Sequence, residues 1–168
     1  PWFLTGQGDY FVDSGTGVAQ SASAALSIWI LEHMSRPSLE ELCAEAAAQG
    51  IRVQETRLPA GLEGVWDPSQ KTIWLKKRLS VASMACTLAH ELEHARRGDA
   101  GHQDEYVEEF INEKVALRFI NPTTYARLEE VYGCEPGVIA EELDLPTWLI
   151  EAWQRLLNRA ERLWERSA

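Results

Sequence analysis

The chain has 168 residues, of which 45% are hydrophobic and 25% charged, and its formal net charge is −10 at pH 7. This size and composition suit one compact domain with a sizeable core. The acidic balance argues against a surface that binds nucleic acid directly, because such surfaces are normally basic. No apolar run reaches the length of a transmembrane helix, so we also expect no membrane association.

The cysteines indicate the redox compartment. Cys43, Cys86 and Cys134 are odd in number, widely spaced and free of any C-x-x-C pair. This pattern favours reduced, buried thiols over a disulfide framework. We therefore expect a cytoplasmic protein.

Residues 1–33 differ in composition from the rest of the chain. They contain no Lys or Arg and are rich in Gly, Ser and Ala. Without a basic start, the apolar run at residues 26–31 does not fit a signal peptide. We interpret residues 1–33 as a fusion or vector-derived extension, in which residues 10–12 add as a strand to a sheet edge or lie in a cleft. One domain follows at residues 34–168, with a helical C-terminal tail from about residue 134.

The first elements of the domain are predicted from capping and from alternation. Ser38 and Glu41 have the spacing of a capping box, and Gly50 stops the helix that they begin. Three short strands are predicted next: one begins at residues 51–53, and the others lie at residues 62–66 and 71–76. A turn at residues 67–70 connects the last two strands. We therefore predict an α+β, mostly helical fold with a small three-stranded antiparallel sheet before the next helix.

The segment after the sheet carries His90-Glu91-Leu92-Glu93-His94, an H-E-x-x-H motif. Residues four apart share one face of a helix, so the two imidazoles stand side by side at a spacing that fits one tetrahedral zinc ion. Glu91 lies one residue around the helix, where it can take a proton from a zinc-bound water molecule. We predict a Zn²⁺ site with His90 and His94 as ligands and Glu91 as the catalytic base.

The residues around the motif predict a helix with one core face and one open face. Ser80 can cap its start and Gly98 its end. The predicted core stripe is apolar: Val81, Met84, Leu88, Leu92 and Ala95. The two histidines lie on the opposite side with the small polar residues Ser83 and Thr87, which indicates the wall of a cleft.

The third zinc ligand is expected on the next helix, predicted at residues 105–120. This helix is apolar nearly all round and is therefore predicted to be buried. It carries three carboxylates, and a buried carboxylate needs a partner or a metal: Glu108, Glu109 and Glu113. A metzincin site is excluded, because Arg97 and Ala100 occupy the positions of its glycine and third histidine. The spacing of Glu113 from the motif resembles that of the M1 aminopeptidases, and periodicity also allows Glu109.

The chain resembles the ImmA/IrrE metallopeptidases over roughly residues 38–160. The resemblance rests on TLAHELEH at residues 87–94, on the preceding hairpin and on EEFINEKVALRFI at residues 108–120. The tail from Val138 also resembles the helix-turn-helix-like end of actinobacterial members. The resemblance implies a gluzincin-like zinc endopeptidase that acts in regulatory proteolysis. Its substrate would be a regulatory protein, such as a helix-turn-helix repressor or an antitoxin.

The resemblance also assigns roles to residues. It implies that Glu108 is the third metal ligand and that Asn112 is its neighbour on the same face. Glu93 replaces the family's usual glycine and Val115 its usual alanine, so both are expected to narrow or alter the cleft. The oxyanion donor is left open among three candidates: His102, Tyr106 and Tyr125.

The C-terminal tail supports an alternative function. Two helices are predicted at residues 137–143 and 146–165, and the tail is net acidic. Its tryptophans, Trp148, Trp153 and Trp164, are interpreted as core or interface residues. The alternative is a non-catalytic regulatory or toxin–antitoxin component that binds a partner protein, with structural zinc.

Overall fold

The computed structural model describes residues 36–101 and 103–167. The extension at residues 1–33, with the strand predicted at residues 10–12, and the oxyanion candidate His102 lie outside the described residues. The described part is an α+β, mostly helical fold, as predicted. In chain order its elements are α1 (Leu39–Ala48), β1 (Arg52–Thr56), β2 (Gly64–Asp67), β3 (Thr72–Lys76), α2 (Val81–Arg97), α3 (Glu105–Phe119), α4 (Pro122–Tyr132), α5 (Pro136–Leu143) and α6 (Thr147–Glu165).

Side-chain caps define the ends of α1 and α2. Ser38 Oγ accepts a hydrogen bond from the Glu41 N–H at 3.1 Å, and the Glu41 carboxylate accepts one from the Ser38 N–H at 2.7 Å. This is the predicted capping box. Ser80 caps α2 by accepting the Ser83 N–H at 3.0 Å, and Gly98 ends the helix at a left-handed φ of 75°. The predicted caps of both helices are confirmed.

The sheet is mixed, so the prediction of an antiparallel sheet was wrong. β3 is the central strand, with β2 antiparallel on one side and β1 parallel on the other. A tight turn makes β2 and β3 a hairpin, whereas residues 57–63 carry the chain past β3 to its opposite edge. β1 and β3 therefore run in the same direction, with β2 in the connection that parallel strands require. Strand order is a long-range property that local alternation does not encode.

Helix α2 lies at the centre of the domain. It packs against α1, β2 and β3 and also against α3. Leu88 and Leu92 on its core face are fully buried, as predicted, and each contributes roughly 1.5–3 kcal/mol by burial. Val81 was also placed in the core stripe, but it is 67% exposed because it is the first residue of the helix and extends past the neighbouring elements.

Helix α3 is buried on one side only, so the prediction of an entirely buried helix was wrong. Ile111, Val115 and Phe119 are buried, whereas Tyr106 is 77% and Leu117 is 59% exposed. Only α2 and α6 pack extensively against α3 among the described residues, and they cover part of its circumference. The exposed apolar residues belong to the uncovered part.

The C-terminal helices complete the core. α5 and α6 lie within one residue of their predicted bounds, whereas α4 has no counterpart among the predicted elements. α4 begins with Pro122, and Asn121 caps it by accepting the Thr124 N–H at 3.0 Å. α6 packs along α3 and against α5. In the part of the chain that the structure describes, no helix combines the length and apolar character that crossing a membrane requires.

Candidate metal centre

His90 and His94 lie one turn apart on α2, and their rings converge. The ring centroids are 4.7 Å apart and the two Nε2 atoms are 3.0 Å apart. Each Nδ1 has its own partner on the far side of the ring. His90 Nδ1 lies 3.0 Å from Asn112 Oδ1, and His94 Nδ1 lies 3.0 Å from Asp99 Oδ2.

These partners determine the tautomer of each histidine. An ionised carboxylate and an amide carbonyl only accept hydrogen bonds, so both Nδ1 atoms carry the proton and donate it. In the neutral rings each Nε2 then presents a lone pair to the same point in space. Two Nε2 atoms 3.0 Å apart need a cation between them, which is a proton shared in a hydrogen bond or a metal ion. Together with the carboxylate of Glu108, the donor set fits a metal ion.

Glu108, in the first turn of α3, brings a carboxylate to the same point. Its Oε2 lies 3.3 Å from His90 Nε2 and 3.5 Å from His94 Nε2. Zinc bonds of about 2.0–2.1 Å in a tetrahedron give ligand separations of about 3.3–3.4 Å. The three residues are a group that can hold a metal ion, with ligand atoms within 4.8 Å of one another.

The two other carboxylates considered for the third ligand lie elsewhere. Glu109 is paired with Arg155 at 3.8 Å, and Glu113 is paired with Arg159. Both arginines come from α6, which packs along the other side of α3. Glu113 is only 5% exposed, so its buried carboxylate does have a partner, but that partner is an arginine and not a metal.

Asp99 is a site residue that the sequence analysis missed. Gly98 turns the chain back at the end of α2, and the Asp99 N–H donates to the His94 carbonyl at 3.0 Å. This turn places the Asp99 carboxylate beside Nδ1 of His94. Burial acts to raise the pKa of Asp99, but hydrogen bonds from His94 and Arg97 outweigh it and lower the pKa. An acidic residue directly after a C-cap glycine was the available signal.

Strand β2 packs directly on Glu91. The Trp66 backbone N–H donates a hydrogen bond to the Glu91 carboxylate. A Cβ atom at Gly64 would lie 2.6 Å from Thr87 Cγ2 and 2.8 Å from Glu91 Oε1, so only glycine fits there. Burial raises the pKa of Glu91 above its usual value, although the neighbouring histidines oppose this.

The hydrogen-bond pattern of the hairpin shows which main-chain groups of β2 face the cleft. The Lys76 N–H donates to the Glu63 carbonyl at 2.8 Å, so Glu63 faces β3. Because orientation alternates along an antiparallel strand, Gly64 and Trp66 turn their N–H and C=O groups away from β3. β2 is an edge strand, and this outward side borders the cleft.

The cleft has a volume of about 650 Å³. Helix α2 forms its floor, β2 and the loop before it form one wall, and Glu108 and Asn112 belong to the other. Trp148, from the first turn of α6, also lines the cleft. Its ring meets that of His90 edge-on, with centroids 6.0 Å apart and planes at 78°. Trp148 was interpreted as a core or interface residue, and its role as a cleft residue was missed.

Two of the three oxyanion candidates lie outside the cleft. Tyr106 is 77% exposed and does not line the cleft. Tyr125 lies on α4 and is buried, and its hydroxyl donates to Glu129 at 3.1 Å and accepts from Gln154 at 3.0 Å.

The two departures from the family pattern do not narrow the cleft. Glu93 points away from it and is held by Arg96 and by Lys114, the latter at 2.6 Å. Val115 is fully buried in the core. Neither side chain lines the cleft, so the expectation that they narrow it was wrong.

The described residues form a mostly helical domain with a small sheet beside a His–His–Glu cluster that could hold a metal ion. The chain belongs to the IrrE N-terminal-like family, peptidase M78, whose family model matches residues 46–142, more than half of its length. The family match supports a metallopeptidase in general. The resemblance to the ImmA/IrrE metallopeptidases is thereby confirmed. No curated protein matches the chain.

Proposed function

We propose that the protein is a zinc-dependent endopeptidase. The observation that carries this proposal is the convergence of His90 Nε2, His94 Nε2 and Glu108 Oε2 at separations of 3.0, 3.3 and 3.5 Å. Two neutral imidazoles and a carboxylate are a donor set of catalytic zinc, with a fourth position left open. A bound zinc ion supplies Lewis-acid polarisation of a carbonyl and acidifies a water molecule.

The residues around the ligands have separate tasks in this proposal. Asn112 and Asp99 keep the imidazoles in the tautomer that ligates through Nε2. Glu91 accepts the proton lost by the attacking water and then delivers it to the leaving amine. The Trp66 N–H and the close approach of Gly64 hold the Glu91 carboxylate in one position.

An extended peptide fits the edge of β2. The outward main-chain groups of Gly64 offer a donor and an acceptor to a substrate strand. Alternating substrate side chains would then point into the cleft and out of it. This arrangement supports cleavage within a chain, because the edge strand contacts the backbone and does not require a terminus.

The substrate we propose is a regulatory protein of the repressor type, present with the enzyme in the cytoplasm. The net charge of −10 supports this choice, because DNA-binding proteins carry basic segments that an acidic surface attracts. A helix-turn-helix repressor or an antitoxin has these properties.

Co-expression with the product of the neighbouring gene tests the proposal. Wild-type protein should cleave that product, and Glu91→Gln should lower the cleavage rate by roughly 10²–10⁴-fold while it retains the metal. Glu109→Gln is the matched control, because it makes the same substitution outside the cluster, and it should cleave normally. Cleavage by Glu91→Gln at the wild-type rate would contradict the proposal.

A second candidate function is favoured by the exposed end of α6. Trp164 is 78% and Leu163 is 53% exposed, which suits a surface that binds a partner protein. In that case zinc would be structural, and the Glu91→Gln variant would keep the protein's activity in the cell. Trp164→Ala would abolish that activity instead.

A further inference from the structure

Three apolar side chains line the cleft that contains the metal ligands. Leu62 and Val65 come from β2 and the loop before it, and Trp148, whose ring lies against His90, comes from α6. Leu62 is 44% exposed and Trp148 is half-buried, so both present apolar surface to the cleft. The metal cluster does not depend on either side chain. His90 already uses Nδ1 for Asn112 and Nε2 for the cluster, so it needs no bond from Trp148.

The backbone around Trp148 is anchored in the core. The residues that follow it, Leu149 and Ile150, are fully buried, and Trp153 one turn further on is 6% exposed. The start of α6 is therefore anchored in the core, and the Trp148 ring contacts His90 edge-on. A large aromatic ring on an anchored helix offers a surface for an apolar group.

Trp148 lies outside the part of the chain that the family model matches. The family match ends at residue 142, before α6 begins. The helix that supplies the ring thus lies outside the matched region, while the ligands lie within it.

We propose that Trp148, together with Leu62 and Val65 in the same cleft, forms a subsite for a large apolar side chain next to the scissile bond. This inference rests on the proposed function and names its substrate class: extended peptide segments with a leucine-sized or aromatic residue at the cleavage point. Trp148 acts here on specificity, whereas the ligands His90, His94 and Glu108 and the base Glu91 act on the chemistry.

The test compares the binding of leucine hydroxamate and alanine hydroxamate to the zinc-loaded full chain by calorimetry. Both probes carry the same metal-binding group and differ only in the side chain. Wild-type protein should bind the leucine probe about tenfold more tightly, the discrimination expected of a pocket for a few methylene groups. Trp148→Ala should reduce this ratio below about threefold, and Trp148→Phe should retain most of it.

Leu157→Ala is the control, because it shortens an exposed apolar side chain of the same helix outside the cleft and should keep the wild-type ratio. Zinc content is measured on every sample. Three outcomes would overturn the inference. Trp148→Ala keeps the wild-type ratio, the wild type binds both probes equally, or Trp148→Ala loses affinity equally for both probes. The last outcome would mean that the ring only positions His90. A wild type that holds no zinc would contradict the proposed function, and the inference with it.

Discussion

At the scale of single residues, the centre depends on which nitrogen of each histidine carries the proton. Asn112 and Asp99 both accept from Nδ1, so in the neutral rings both Nε2 atoms are left to ligate a metal ion beside Glu108. The two acceptors come from different places, one from α3 and one from the turn after α2. A chain with the motif but without these acceptors would leave the tautomers undetermined.

Gly64 provides the sharpest prediction for a single residue. Gly64→Ala would place a methyl group within 3 Å of Thr87 and Glu91, so Glu91 must shift from its position under β2. We expect cleavage of the regulatory substrate to fall about 100-fold, because small displacements of a catalytic group have effects of that size. Zinc content should stay unchanged, because no ligand is touched.

Gly137→Ala is the matched control for that experiment. A Cβ at Gly137 meets only a Glu135 oxygen at 3.9 Å, which is ordinary contact, and the site is remote from the cleft. It should leave cleavage unchanged. Equal cleavage by Gly64→Ala and Gly137→Ala would show that β2 does not position Glu91.

The sequence predicted those site residues that are close together in the chain. His90, Glu91 and His94 share one helix, and their relation follows from its period. The choice among Glu108, Glu109 and Glu113 could not be made from spacing, because it depends on the two arginines that α6 places beside the last two. Trp148 was missed for the same reason, since tertiary packing alone brings α6 to the cleft.

At the scale of elements, an ion-pair network ties α1, α2 and α3 together behind the centre. Glu45 on α1 binds Arg96 on α2 and Arg118 on α3. Glu93 on α2 binds Arg96 and also Lys114 on α3. Burial acts to raise the pKa of Glu93, but the two cations outweigh it and lower the pKa. Glu93 therefore links α2 to α3 and does not line the cleft.

Removing one cation of this network should lower stability. Lys114→Met keeps the aliphatic stem but leaves the buried Glu93 carboxylate with Arg96 alone. We expect the free energy of unfolding, measured in urea, to fall by about 1–2 kcal/mol.

Lys77→Met makes the same change at an exposed site and should alter stability by less than about 0.5 kcal/mol. If both variants are equally stable, the network does not stabilise the fold. Zinc binding should be unchanged in either variant, because neither lysine belongs to the cluster.

Elements were predictable where local chemistry defines them. Ser38, Ser80 and Gly98 mark helix ends through contacts within a few residues, and these predictions are confirmed. The direction of β1 depends on which edge of β3 it reaches, and the uneven burial of α3 depends on which helices cover it. Neither property is encoded in the periodic spacing of apolar residues along the sequence.

At the scale of the whole molecule, the cysteines report how the domain opens. Burial raises the pKa of Cys86 to about 12, whereas Cys134 is exposed, although the Glu129 carboxylate raises the pKa of its thiol as well. We expect a thiol reagent to modify Cys134 faster than Cys86, which reacts only as fast as the whole domain unfolds. The measurement is the time course of thiol modification in native protein and in urea.

Cys134→Ser should remove the fast phase of that reaction and leave the slowest one. Rapid modification of Cys86 in native protein would mean that the core around α2 opens locally. It would thereby contradict the close packing of α2 between the sheet and α3.

The central claim is that His90, His94 and Glu108 hold zinc, and the zinc content of the purified chain tests it most directly. We expect about one equivalent in the wild type, given the tight binding of such sites. Glu108→Ala should hold far less, and Glu109→Ala, one residue away and paired with Arg155, should hold as much as the wild type. Less than about half an equivalent in the wild type, or wild-type zinc in Glu108→Ala, would contradict the account.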